Sequence, residues 1–297
     1  MAVFLILQGV SLFAEKIRIV TSIFPLKEFA GAVAGDRGEV SLLLKPGAEI
    51  HTWKPKPSDM IKLSKADLFI YIGADLEPWI SDIFKSFKKH NIKILEASQG
   101  LELYLEGHEH RTDRNSDHRH GFMDPHIWFD FQYDQIIIAK ITDILSEMDP
   151  QNKLHYQKNA LSYQKKLQKL DIQYMAGLKD CDQKIIVLGG HNAFGYMARR
   201  YNLKLISLYG LSPNARPGPK QIAEIVDMAK KNNIKTIFYE TFVNDQLTQV
   251  LAREIGAVTM ALNTGANLTM DQFRAGTSFL QLMEINLENL KHGLSCR

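Results

Sequence analysis

Short runs rich in β-branched residues alternate with stretches of helical apolar spacing along nearly the whole chain. This alternation restricts the fold to the α/β class. Candidate strands fall at 17–21 (IRIVT), 40–44 (VSLLL), 68–72 (LFIYI) and 92–95 (IKIL), with a second set at 185–188 (IIVL), 203–207 (LKLIS), 235–239 (KTIFY) and 257–261 (AVTMA). The intervening segments are long enough for crossover helices, so each set predicts a small parallel sheet with helices on both faces. In 219–231, Ile222, Ile225, Val226 and Ala229 repeat at helical spacing behind Pro219. In 245–255, Asn244 can cap the start and Gly256 the end. Between the two sets, 151–180 contains no proline, carries many Lys and Gln, and spaces Leu154, Ala160, Leu161, Leu167, Leu170 and Tyr174 as a helix would. It reads as one long polar-faced helix, a stiff connector. The expected organisation is an N-terminal lobe over 15–150, a connecting helix over 151–180 and a C-terminal lobe over 181–297.

The first 14 residues, MAVFLILQGVSLFA, are uncharged and are followed by Glu15 and Lys16. The stretch has the length of a secretory signal core and is too short to span a bilayer, so 1–14 is expected to be a signal peptide cut after Ala14. Cys181 and Cys296 are the only cysteines; in an exported protein they could pair, and as buried thiols they could equally stay free. With 36 basic against 33 acidic residues, the charge balance supports neither a nucleic-acid footprint nor an acidic-substrate trap. The segment 107–121, GHEHRTDRNSDHRHG, has no hydrophobic period and reads as a surface loop.

Three histidines sit at the mouths of expected strands. His191 follows 185–188 after Gly189 and Gly190, and His51 follows Leu44 after the Pro46–Gly47 turn. His126, in DPHIWFD, precedes an Ile-rich helix expected over 132–147. Ligands of open α/β sheets bind beyond the carboxyl ends of the strands, so all three positions suit one cleft between the lobes. Such a nitrogen-rich pocket fits Zn²⁺, which takes imidazole at about 2.0–2.1 Å. Mn²⁺ prefers harder oxygen ligands. Asp124 and Asp130 flank His126 and could orient its ring; Asp124–Pro125 also describes a plain turn before a helix.

The segments PGAEIHTWKPKPSD, ADLFIYIGADLEPW, DPHIWFD and GGHNAFGYMARRYNLK, with the run from Pro219 to Gly256, resemble the zinc- and manganese-binding substrate-binding proteins of ABC importers (the ZnuA-like, cluster A-I group). The likeness covers nearly all of the chain after residue 14. It implies two lobes joined by a long rigid helix, holding one divalent ion in the cleft between them, with His51, His126 and His191 as its first three ligands. A histidine at the third position goes with zinc-type members. The resemblance further implies a periplasmic monomer without catalytic activity, which carries Zn²⁺ as bound substrate to the membrane permease of an ABC importer. Where the family usually has an Asp as fourth ligand, this chain has Asn263, whose neutral carbonyl attracts a dication less than a carboxylate does. Water, Asn263, Glu49 and Glu240 are therefore candidates; Glu240 also matches a family glutamate that usually lies nearby without coordinating. Zinc-type relatives often carry a His-rich loop, so His108, His110, His118 and His120 could gather zinc, or receive it from a periplasmic metallochaperone, and pass it to the cleft.

Three rival readings remain. The scaffold could import Mn²⁺, or serve as an adhesin, for which no residue argues. A zinc site of three histidines plus water also fits a hydrolase. Against that, the chain has no HExxH helix, no Gly-x-Ser-x-Gly and no phosphate-cradling loop after its first strand, and Glu240 is the one base candidate near the cleft.

Overall fold

The computed structural model describes residues 15–86, 91–105, 123–210, 217–242 and 245–297; the expected signal segment 1–14, Asn244 and the loop histidines His108, His110, His118 and His120 lie outside them. In chain order the first half holds β1 (Ile17–Thr21), α1 (Phe24–Ala34), β2 (Gly38–Leu42), α2 (Pro57–Ser64), β3 (Leu68–Tyr71), α3 (Ile80–Ser86), β4 (Lys93–Glu96) and α4 (Phe131–Met148). Then come the long α5 (Lys153–Gly177), β5 (Ile185–Leu188), α6 (Gly195–Arg200), β6 (Lys204–Ser207), α7 (Pro219–Lys231), β7 (Thr236–Glu240), α8 (Gln246–Ile255), β8 (Val258–Leu262), α9 (Met270–Arg274) and α10 (Phe279–Gly293).

The eight strands form two parallel sheets of four, ordered β2-β1-β3-β4 and β6-β5-β7-β8. The two halves thus repeat one topology, and α5 joins them. The second strand is displaced from its expected place at 40–44. Pairing with β1 sets its limits: Ile17 lies opposite Gly38 and Thr21 opposite Leu42, where β1 ends.

Alternation along the strands decides how the sheets are buried. Ile19, Leu68 and Ile70 face one central apolar core, while Val20, Phe69 and Tyr71 face a smaller cluster with Leu63 and Ile83 of α2 and α3. In the second sheet Ile186, Leu188 and Phe238 join the same central core, and Val187 and Ile237 pack on Ile225 and Leu251 of α7 and α8. Covering both faces is what an all-parallel sheet requires. Because the central core is continuous through both halves, opening the halves widely would expose it to water.

The connector is fastened along its length. Arg200, in α6, pairs with Asp171 of α5 through Nε–Oδ1 (2.7 Å) and Nη2–Oδ2 (2.5 Å), and lies 3.4 Å from Asp130, which caps α4. Tyr174 donates to the Met283 carbonyl on α10 at 2.6 Å. Beyond α5, Cys181 and Cys296 form a disulfide, and the flanking backbones pair antiparallel, with Asp182 N–H bonded to Ser295 O (3.2 Å).

Candidate metal centre

At the carboxyl ends of the two sheets, His51, His126 and His191 converge. Their ligand nitrogens all lie within 4.8 Å of one another, and among the described residues no carboxylate or thiol joins the group. Two Nε2–Nε2 separations are 3.3 Å (His51–His126) and 3.1 Å (His126–His191). Nitrogens bound tetrahedrally at about 2.05 Å would stand roughly 3.3 Å apart. Those two separations are therefore already those of a coordination shell.

Local sequence explains each placement. In Asp124-Pro125-His126, the Asp124 carboxylate accepts from the His126 backbone N–H (3.0 Å) and faces ring Nδ1 at 2.7 Å. This turn fixes the ring before it reaches the cleft. His191 leaves β5 after two glycines. Its backbone N–H donates to Glu240 Oε1 at 2.5 Å, and its Nδ1 lies 2.7 Å from Glu240 Oε2, with the N–H off the direct line. Glu240 reaches this position because residue 190 has no side chain: a Cβ on Gly190 would lie 1.8 Å from Glu240 Oε1. His51 rides on a turn closed by Glu49, whose carboxylate accepts the His51 and Thr52 amides at 3.1 and 3.0 Å.

The Asp124 carboxylate holds His126 Nδ1, so the proton of a neutral His126 ring belongs on Nδ1 and its Nε2 presents a lone pair to the other two rings. Burial, followed by repulsion from neighbouring imidazoles, pushes the pKa of His51 down to about 2 and that of His126 well below its ordinary value. Burial also raises the Asp124 carboxyl to about 7, against the pull of the His126 amide. Protons therefore compete poorly for two of the three nitrogens. Two ordinary imidazoles would cost zinc binding about tenfold between pH 7 and pH 6. In this site these two should together cost less than about threefold, as titration calorimetry at the two pH values will measure.

The second half is stitched to the turn that carries His51. Asn267 donates both Nδ2 protons, to Lys45 O and Ala48 O, each at 2.7 Å, and Gly47 N–H reaches Leu268 O at 2.8 Å. Trp128 closes another side, its indole N–H on Thr264 O at 2.7 Å and its ring 5.3 Å from that of His126. Sequence reasoning missed Asn267 and Trp128: their partners lie more than a hundred residues away, and neither has a local signature.

The fourth-ligand candidates divide. Glu49 lines the cavity, but both its oxygens hold backbone amides. Glu240 stands behind His191, with both oxygens directed to that residue. Asn263 is not among the lining residues, and its Oδ1 accepts the Gly265 N–H at 2.7 Å. Asp130, a candidate to orient His126, instead caps α4 and meets Arg200. In contrast, Asp124 and Glu240 each lie 2.7 Å from an imidazole Nδ1. Carboxylates so placed raise ligand basicity, so Glu240→Gln and Asp124→Asn should each weaken zinc binding by roughly 10–100-fold, measured by competition with a chromogenic chelator.

Residues 19–293 match the family model described as ZnuA, zinc-uptake complex component A, periplasmic. The chain is 35% identical over 284 residues to the high-affinity zinc uptake system protein ZnuA of Bacillus subtilis, covering 94% of this chain and 88% of that one. It is 34% identical to the zinc-binding protein AdcA of Streptococcus pyogenes, covering 96% of this chain but only 57% of AdcA. The structure superposes on the Zn(II)-bound ZnuA-like domain of Streptococcus pneumoniae AdcA with a TM-score of 0.79 at 34% identity, over 94% of this chain and 99% of that domain.

Proposed function

The chain belongs to the ZnuA family of zinc-uptake components, and from that premise we propose that it is an extracytoplasmic solute-binding protein, which captures Zn²⁺ and delivers it to the permease of an ABC importer. The family is one of metal-binding transport proteins and not an enzyme family. One observation carries the assignment of cargo: three imidazole nitrogens converge on a single point with no carboxylate among them. That donor set suits Zn²⁺ and is too soft and oxygen-poor for Mn²⁺.

In this reading His51, His126 and His191 bind the ion, and Asp124 and Glu240 orient the rings. Water takes the fourth position, because Glu49, Glu240 and Asn263 use their oxygens elsewhere. Residues 15–150 and 181–297 are the two lobes, 151–180 is the connector, and 1–14 is removed on export to the periplasmic side. The loop carrying His108, His110, His118 and His120 gathers zinc for the cleft. Capture and release then need only local movement around the ion, since the shared core and the clamped connector oppose wide hinging.

Calorimetric titration of the metal-stripped chain should give one tight Zn²⁺ event that excess Mn²⁺ does not displace. The thermal midpoint should rise with zinc, since a ligand at a hundred times its Kd adds about 2.7 kcal/mol to the native state. A chain that takes up no zinc, or prefers manganese, would refute the proposal.

A further inference from the structure

The connector helix α5 presents solvent with a face that combines apolar and basic side chains. Its buried side, with Tyr156, Ala160, Tyr163, Leu167, Leu170 and Tyr174, accounts for its packing. On the opposite side Leu154 is 80% exposed, Leu161 55%, Ile172 55% and Met175 48%. Leu161 follows Leu154 by seven residues and Ile172 follows Leu161 by eleven, two and three turns respectively. All three therefore lie within about 20° of one line along the helix. Water gains nothing from such a line.

The charges on this face are one-sided. Lys158, Lys165 and Lys169 are exposed within about 60° of that line, Lys153 and Lys166 are exposed farther round the helix, and the helix's one carboxylate, Asp171, is buried against Arg200. Among the described ion pairs none involves these five lysines, whereas Lys85, Lys220, Lys230 and Lys291 on other helices each have an acidic partner. Lys165 and Lys169 also stand four residues apart, a spacing at which like charges destabilise a helix. The face thus combines exposed apolar side chains with uncompensated positive charge.

We infer that the exposed face of α5 docks on an anionic lipid surface. Leucine, isoleucine and methionine side chains enter the headgroup boundary, and the flanking lysines bury their stems while their ammonium groups meet lipid phosphates. The spacing favours a bilayer over a partner helix. The apolar positions are spread over about 32 Å, with Lys158, Lys165 and Gln168 between them, which is too sparse for the continuous seam of paired helices. Charge complementarity selects acidic headgroups over neutral ones, each lysine near such a surface adding to the attraction. The inference extends the transport reading, in which the protein works beside a membrane, but its test is separate.

Flotation of the purified zinc-loaded chain with vesicles of phosphatidylglycerol and phosphatidylcholine, 1:1, against vesicles of phosphatidylcholine alone, provides that test. Recruitment should be confined to the anionic vesicles and fall with added salt, as screening requires. The triple variant Lys158→Glu, Lys165→Glu, Lys169→Glu should lose at least about tenfold in partitioning. Leu154→Ser with Leu161→Ser should lose recruitment while keeping the salt dependence of what remains. Both variants should retain the parent's zinc isotherm, which shows that they fold and separates failure here from failure of the transport assignment. No recruitment at low salt, equal recruitment by neutral vesicles, or recruitment unaffected by charge reversal would overturn the inference. So would self-association through this face, or binding to isolated permease protein but not to lipid.

Discussion

Replacing His191 with alanine should abolish the tight zinc event and leave at most a weak one. Structural zinc sites gain about 10–16 kcal/mol from some four ligands, so one imidazole is worth on the order of 3 kcal/mol, a loss of at least about a hundredfold. The structure adds a second penalty. Glu240 is 2% exposed and directs both oxygens to His191; without the ring, this buried carboxylate loses the imidazole that faces its Oε2. His51→Ala should cost less, because that ring is the most accessible of the three and no described carboxylate stands behind it. Calorimetry on both variants, with the metal-free thermal midpoint as a control for folding, gives the comparison. An isotherm unchanged by His191→Ala would mean that the ion binds elsewhere.

Breaking the Cys181–Cys296 disulfide should produce the largest loss of stability available from a surface change. The two residues are 115 apart in sequence, so the bond closes a long loop in the unfolded chain. Loop-closure entropy for a ring of that size is worth about 4–5 kcal/mol. For a domain of this size that corresponds to a drop in thermal midpoint on the order of 10 °C. The paired Cys181→Ser, Cys296→Ser variant, compared by calorimetry with the parent under oxidising and reducing conditions, tests it. The variant should match the reduced parent. A midpoint indifferent to reductant would show that the antiparallel pairing of Asp182 with Ser295 holds the tail without covalent help.

Much of the architecture was legible because it depends on local periodicity. The strands at 17–21 and 185–188 occupy their expected residues, and the long connector appears as α5. Helix ends followed their chemistry: Gly256 adopts the left-handed conformation (φ 67°) that closes α8. The six other strands differ from expectation by one or two residues, β3 and β6 at one end and β2, β4, β7 and β8 at both, since a strand stops where its partner stops. β2 shows this, ending at Leu42 opposite Thr21 although Leu43 and Leu44 continue the apolar run.

The site was legible only in part. Two histidines after strands and one before a helix could be picked out one by one, and the topology then brings His51, His126 and His191 to a common edge. The sequence ordered the fourth-ligand candidates as water, Asn263, Glu49 and Glu240, but it could not show what else the oxygens of Asn263 and Glu240 bind. The Gly265 amide takes that of Asn263, and His191 takes those of Glu240.

By itself the sequence determined the class of fold, the twofold repetition of strand and helix, and the residue types able to hold a soft dication. These follow from side-chain chemistry and from spacings of two to eleven residues, which neighbours along the chain suffice to express. Only the tertiary structure decided which nitrogens face one another, which carboxylates stand behind them, and that Cys181 meets Cys296. Apart from the local turn that joins Asp124 to His126, those contacts span 49 residues (His191 with Glu240), 65 (His126 with His191), 75 (His51 with His126) and 115 (Cys181 with Cys296). Their energies depend on distances that only the packing of both halves on one shared core can set.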